Sequence, residues 1–286
     1  MSDPFIPGKN AEGKLFCTRA QLGQYSQDIC DYALVQNQPV YVDGDLMLVQ
    51  TEYERTLRHK IASLQTEINF LKSRRSLVSL DWDQNRFNYL AVGNSITLHG
   101  YADYWWNEIG MAASKAEKDY FHLVTKELER RYGSVFAHAF NFATWEVLAT
   151  DRAETLELLN GCLSDKINLI TVQLGENVSD IATYETDFAH MLHHIQRACP
   201  RAQILVIGDF WFREERDEMK ERAANACRVP YISLKSAMND NSCKAGLGTT
   251  VFGTNGEAHV IEHAGVAAHP GDKGMQYIAD SVIKSL

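Results

Sequence analysis

From Phe87 onward, short apolar runs alternate with longer amphipathic stretches. The runs at 87–92, 135–142, 168–174, 203–208 and 231–234 are near-continuous in hydrophobic residues. Strands buried on both faces read that way. Between and after them, 115–132, 152–160, 184–198, 213–226 and 274–286 carry apolar residues at helical spacing. Strict strand and helix alternation predicts a parallel sheet covered by helices on both faces, with right-handed crossovers.

The first 86 residues follow a different pattern. Residues 1–38 show little periodicity apart from a predicted helix over 18–33, and Pro4, Pro7 and Gly8 mark an irregular start. Two β-rich runs within 39–49 flank Asp43-Gly44, a hairpin signal. A long helix is predicted over 51–75. Its Leu57, Ile61, Leu64, Ile68 and Leu71 alternate steps of four and three, which is a heptad seam. Residues 51–80 hold six Lys or Arg against three Asp or Glu, a local charge of +3 in a chain of net charge −9. The seam spans about two to three heptads, too few for a stable isolated coiled coil. It predicts either a homo-oligomer formed through residues 51–75 or a helix packed on its own domain. Residues 76–86 read as a linker. The expected organisation is an N-terminal extension over 1–80 and a main domain over 86–286.

Composition narrows the function classes. The 286 residues are 45% hydrophobic and 23% charged, which fits a packed core. The net charge of −9 argues against a nucleic-acid partner. No apolar run is long enough to span a membrane. Residues 1–14 lack the basic-then-apolar pattern of a signal peptide. Cysteines at 17, 30, 162, 199, 227 and 243 include no Cys-x-x-Cys pair, consistent with free thiols in a reducing compartment. The expected location is cytoplasmic.

Candidate chemistry gathers where apolar runs stop. The first ends at Gly93-Asn94-Ser95-Ile96-Thr97, which presents a hydroxyl at the carboxyl end of a strand, where open α/β sheets build sites. The third ends at Gly175-Glu176-Asn177, whose carboxamide can donate to a developing oxyanion. Gly110, before a small-residue stretch, offers an N–H that a ligand can approach closely. Near the end of the chain His269-Pro270-Gly271-Asp272-Lys273-Gly274-Met275 places a histidine in a loop, suited to act as a base. Trp105, Trp106, Trp211 and Phe212 fall near the same predicted loops and are candidates for substrate contact, with packing as their ordinary alternative.

The order and spacing of these segments over 86–286 resembles the SGNH (GDSL-like) hydrolase family, in a bacterial branch with carbohydrate esterases among its relatives. The resemblance implies a flavodoxin-like α/β/α sandwich around a five-stranded parallel sheet. It implies Ser95 as nucleophile, His269 as general base, and the Ser95 N–H, the Gly110 N–H and the Asn177 side chain as oxyanion hole. It implies an acyl-enzyme, neither metal nor organic cofactor, and a small acyl ester as substrate, acetyl on a carbohydrate being the expected case. The same residues would serve transfer to a sugar hydroxyl. Two positions depart from the family pattern. Asn94 replaces the usual Asp, and Val266 stands three residues before the histidine, where the family places its acid. A backbone carbonyl, or one of Glu257, Glu262, Asp240 and Asp209, is then left to orient His269. Two other readings stand beside this one. His259-Val260-Ile261-Glu262-His263 matches the inverted zinc-peptidase motif, which needs a helix presenting both histidines. A catalytically degenerate scaffold, assembling through 51–75, is the other.

Overall fold

A computed structural model describes residues 5–36, 40–44, 80–238 and 240–286 of the chain. The chain divides into two compact units, Met1–Arg75 and Ser76–Leu286.

In the first unit β1 (Gly8–Lys9) runs antiparallel to β2 (Leu15–Cys17), and β2 runs parallel to β3 (Val40–Val42). Helix α1 (Arg19–Gln36), kinked at Tyr25, connects the parallel pair. Leu15, Cys17, Ile29, Val40 and Val42 form its core. Asp43 and Gly44 both have positive φ, as the tight turn of a hairpin requires. The arm expected beyond Gly44 and the 51–75 helix with its heptad seam lie outside the described residues.

The second unit carries the predicted sheet. Strands β4 (Phe87–Gly93), β5 (Val135–Asn141), β6 (Leu169–Gln173), β7 (Gln203–Ile207) and β8 (Tyr231–Ile232) are all parallel, in the order β5-β4-β6-β7-β8. Successive residues point to opposite faces. Tyr89, Ala91, Leu205 and Ile207 enter one core, Leu90, Val92, Ile204 and Val206 the other. The first core is closed by α2 (Tyr120–Tyr132) and, at the end of the chain, by the helix Asp272–Lys284. The second is closed by Tyr184–Ala198 and packs Ala223 and Ala224 of Glu214–Ala226. This is the three-layer α/β/α sandwich expected.

Three expectations change. The segment 152–160 is a single helical turn followed by a 3-10 turn rather than a regular helix. Residues 80–86 are not a free linker: Trp82 is buried in the second core and its indole donates to the Cys162 carbonyl at 2.8 Å. The short antiparallel pair β9 (Thr250–Phe252) and β10 (Ala258–Val260) was not foreseen. Among the described residues, no helix is long and apolar enough to cross a membrane.

The chain leaves β4 for β5 on one side and returns to β6 on the other. The crevice beyond the carboxyl ends of β4 and β6 is therefore the switch point of the sheet. Ser95 follows β4 and Asn177 follows β6.

Candidate active site

The turn after β4 is tight because the Thr97 and Leu98 N–H groups both donate to the Asn94 carbonyl, each at 3.0 Å. The Ile96 N–H donates to Asn94 Oδ1 at 3.0 Å. Gly93 is required here, since a Cβ would overlap the Thr97 hydroxyl. The turn holds Ser95 half-buried, with its Oγ 2.8 Å from His269 Nε2 across 174 residues of sequence.

His269 follows the short helix Ala264–Ala267 with Ala268 between, and that helix puts the Gly265 carbonyl 2.7 Å from His269 Nδ1. A carbonyl only accepts, so Nδ1 carries the proton and Nε2 presents its lone pair to the Ser95 hydroxyl. A main-chain oxygen thus does the orienting work for which Val266 has no side-chain group. The four carboxylates considered for it are elsewhere. Asp209 pairs with Arg216 and Lys220, Asp240 pairs with Lys273, and Glu257 and Glu262 are exposed. Trp211 packs perpendicular to the imidazole, ring centroids 4.6 Å apart, and is fixed by donating its indole N–H to the Ala268 carbonyl at 2.9 Å.

Burial pulls the His269 pKa down to about 4, with His99 and His263 adding to the fall and the Gly265 carbonyl opposing it. The ring is therefore a neutral base throughout the physiological range. We expect the acid limb of kcat/KM for ester cleavage to fall near pH 4 rather than near the ordinary histidine value of about 6.5. A pH-rate profile with folding followed by circular dichroism checks this; an acid limb at pH 6 or above contradicts it. The same shift bears on stability. The folded pKa lies below the unfolded one, so the contribution is fully present above about pH 6.5 and is lost as pH falls towards 4.

The loops after β4 and β6 meet on a carboxylate that sequence reading missed. Glu146, on the short helix Ala143–Val147 after β5, is 1% exposed. Its Oε2 accepts from Asn177 Nδ2 at 2.6 Å, and its Oε1 accepts from the Gly175 N–H at 2.5 Å and from Asn94 Nδ2 at 3.1 Å. Asn94 Nδ2 also donates to Glu176 Oε2 at 2.7 Å, so one amide nitrogen bridges two carboxylates. An aspartate at 94 would set a third carboxylate between them. Burial first, then the charges of Asp209 and Glu146, push the Glu176 carboxyl up to about 7, against the pull of Lys220.

Asn177 and Ser95 are thus joined through Glu146 and Asn94. Among the described residues nothing accepts from the Ser95 N–H. Gly110 is different. Its N–H donates to the buried Asp119 Oδ2 at 3.1 Å, while the Met111 N–H donates to the Ser95 carbonyl at 2.8 Å. The Gly110 loop braces the Ser95 turn, and the Gly110 N–H is already engaged by Asp119. That bond argues against the oxyanion role expected of the Gly110 N–H, whereas Asn177 Nδ2 has one hydrogen beyond the one given to Glu146.

Solved structures similar to this chain include a two-domain esterase active on acetylated mannans, at 14% identity over 76% of this chain and 51% of that one, TM-score 0.45. The phospholipase A1 of Streptomyces albidoflavus NA297 matches at 11% identity over 70% and 100%, TM-score 0.45. A family two carbohydrate esterase from Clostridium thermocellum matches at 14% identity over 70% and 62%, TM-score 0.43. The chain spans about half the length of the two-domain mannan esterase. No protein-family model matches the sequence, and no curated protein matches it. What the site does is therefore read from its own geometry.

The aromatic residues separate. Trp105 is 1% exposed inside the first core, which removes it from substrate contact. Trp106 is half-buried, stacked on His259 with centroids 4.3 Å apart, and lines a groove with Tyr104 and His263. Phe212 lies under the Lys235 ammonium. The zinc motif does not form its helix: His259 is on strand β10, while His263 caps the helix that follows and stacks on Tyr104. Among the described residues no cluster of three or more His, Cys, Asp or Glu is placed to hold a metal.

Proposed function

We propose that this protein is a serine esterase that cleaves small acyl esters through an acyl-enzyme. The observation that carries the reading is the Ser95 Oγ to His269 Nε2 hydrogen bond with the far nitrogen held by the Gly265 carbonyl. His269 Nε2 takes the Ser95 proton as Oγ attacks the acyl carbon. The carbonyl π bond opens and its electron pair moves to oxygen. The Ser95 N–H and one Asn177 N–H hold that oxyanion. As the oxyanion collapses, the C–O bond to the alcohol breaks and the imidazolium returns the proton to the leaving oxygen. Water, deprotonated by the same imidazole, then releases the acid from Ser95.

The acyl group we assign is acetyl and the alcohol a carbohydrate hydroxyl. Trp211 beside the base and the Trp106, Tyr104 and His263 groove supply flat surfaces for a sugar. The names of the two esterases similar in structure fit that choice.

The test is covalent labelling by an organophosphonate, with the adduct located by peptide mass, alongside hydrolysis of p-nitrophenyl acetate. Labelling at Ser95 is expected. Asn177→Ala is expected to lose about 10²–10³-fold in kcat. Absence of any adduct together with absence of hydrolysis rejects the esterase, and a loss under threefold removes Asn177 from the oxyanion hole.

A further inference from the structure

Glu146 is an unusual group to find beneath an oxyanion hole. It brings a carboxylate close to where negative charge develops. None of the ion pairs among the described residues involves it. Every hydrogen bond it makes is received from an N–H, and all of those N–H groups belong to the turns that carry Ser95 and Asn177.

Its chemistry constrains Asn177. The two ends of a carboxamide are nearly the same shape, but one donates and the other only accepts. Against an acceptor, only the NH2 end is favourable. The bond at 2.6 Å to Glu146 Oε2 therefore sets Nδ2, rather than Oδ1, at the inner edge of the site. It uses one of the two amide hydrogens and leaves the second for the substrate oxygen. The reversed amide would turn a lone pair toward the oxyanion. Asn177 is exposed, so packing does not prevent that reversal. The other oxygen of Glu146 takes the Gly175 N–H, where φ of 143° is confined to glycine, and the amide of Asn94 beside the nucleophile. One carboxylate thereby fixes the rotation of the donor and its distance from Ser95.

We infer that Glu146 is a positioning residue for the oxyanion hole, acting through Asn177 by locking its carboxamide with the N–H outward. The inference rests on the esterase reading above. Because the lock matters when charge develops on the substrate oxygen, it belongs to kcat and leaves KM nearly unchanged.

The test is a double-mutant cycle on p-nitrophenyl acetate hydrolysis with wild type, Glu146→Gln, Asn177→Ala and the double variant, folding checked by circular dichroism. Glutamine keeps the size but can turn either end toward Asn177. Glu146→Gln is expected to lower kcat by about 10–100-fold with KM within about twofold, the range typical of a supporting partner behind a site residue. In the Asn177→Ala background the same change is expected to cost less than about twofold, because the group it acts through is gone. Glu146→Asp keeps the acceptor and is expected to recover part of the loss; it also carries the cycle if the Gln variant does not fold. A Glu146→Gln enzyme within threefold of wild type overturns the inference. So does an equal loss in both backgrounds, or unfolding of both variants, which would make Glu146 a structural residue. Failure of the esterase reading is distinct: wild type itself then neither hydrolyses the ester nor labels at Ser95.

Discussion

Under the proposed esterase reading, Ser95→Ala is expected to leave a folded protein whose ester turnover has fallen by about 10⁴–10⁶-fold. The size of the loss follows from the division of labour in the site. On the proposed mechanism the Ser95 N–H, Asn177 and His269 survive the change, so water activated by the imidazole would have to replace the hydroxyl, and it is not held against the acyl carbon. The structural cost is small because Oγ has a single partner, His269 Nε2, and the side chain is half-buried at the mouth of the crevice. Losing one such hydrogen bond costs about 0.5–1.5 kcal/mol. Acetate release and the mass of the phosphonate adduct measure the two halves of the expectation. A variant keeping more than a tenth of wild-type kcat with an unchanged melting curve would take the hydroxyl out of the reaction.

The parts of this molecule that were legible in sequence are those set by local pattern. Parallel strands covered on both faces are apolar at most positions, so Leu90-Ala91-Val92 and Leu169-Ile170-Thr171-Val172 were visible as runs, and their abrupt ends placed Ser95 and Asn177. His269 was found through the family-like order of segments, since a loop histidine has no periodicity to mark it. The rest depended on contacts that side-chain identity does not encode. The acceptor for His269 Nδ1 is the main-chain oxygen of Gly265, which any residue supplies. The direction of the Gly110 N–H was decided by Asp119, nine positions later. Trp105 and Trp106 are adjacent and chemically identical, yet the chain turns one into the core and the other to the groove. Glu146 gave no signal because an acidic residue in a short helix ordinarily faces water, and here tertiary structure buries it. The hairpin of β9 and β10 is three residues on each side, below the length at which alternation can be read.

Asp209→Asn is expected to be the most destabilising single change among these residues, although it removes no volume. Asp209 is fully buried and its two oxygens hold Lys220 Nζ and Arg216 Nε, themselves 0% and 2% exposed. Asparagine keeps the shape but leaves two buried cations without the charge that offsets their desolvation, and it turns at least one amide hydrogen toward a donor. Removing one partner from a buried ionic group costs about 3–5 kcal/mol. For a domain of about 200 residues that corresponds to a fall of roughly 10 °C in Tm. The loss also reaches the site. Arg216 donates to the carbonyls of Glu176 at 3.1 Å and Trp211 at 3.2 Å, and so ties the loop carrying Asn177 to the wall beside His269. The Phe210 N–H, next to Asp209, donates to Glu176 at 2.9 Å. With Arg216 released, those loops lose their common anchor, and kcat should fall even at temperatures where the variant is still folded. Thermal and urea unfolding give the first quantity, and kcat measured at least 15 °C below the new Tm gives the second. A penalty under about 1 kcal/mol would mean that water or a rearranged partner reaches the two cations, and a normal kcat in a destabilised variant would confine Asp209 to the core.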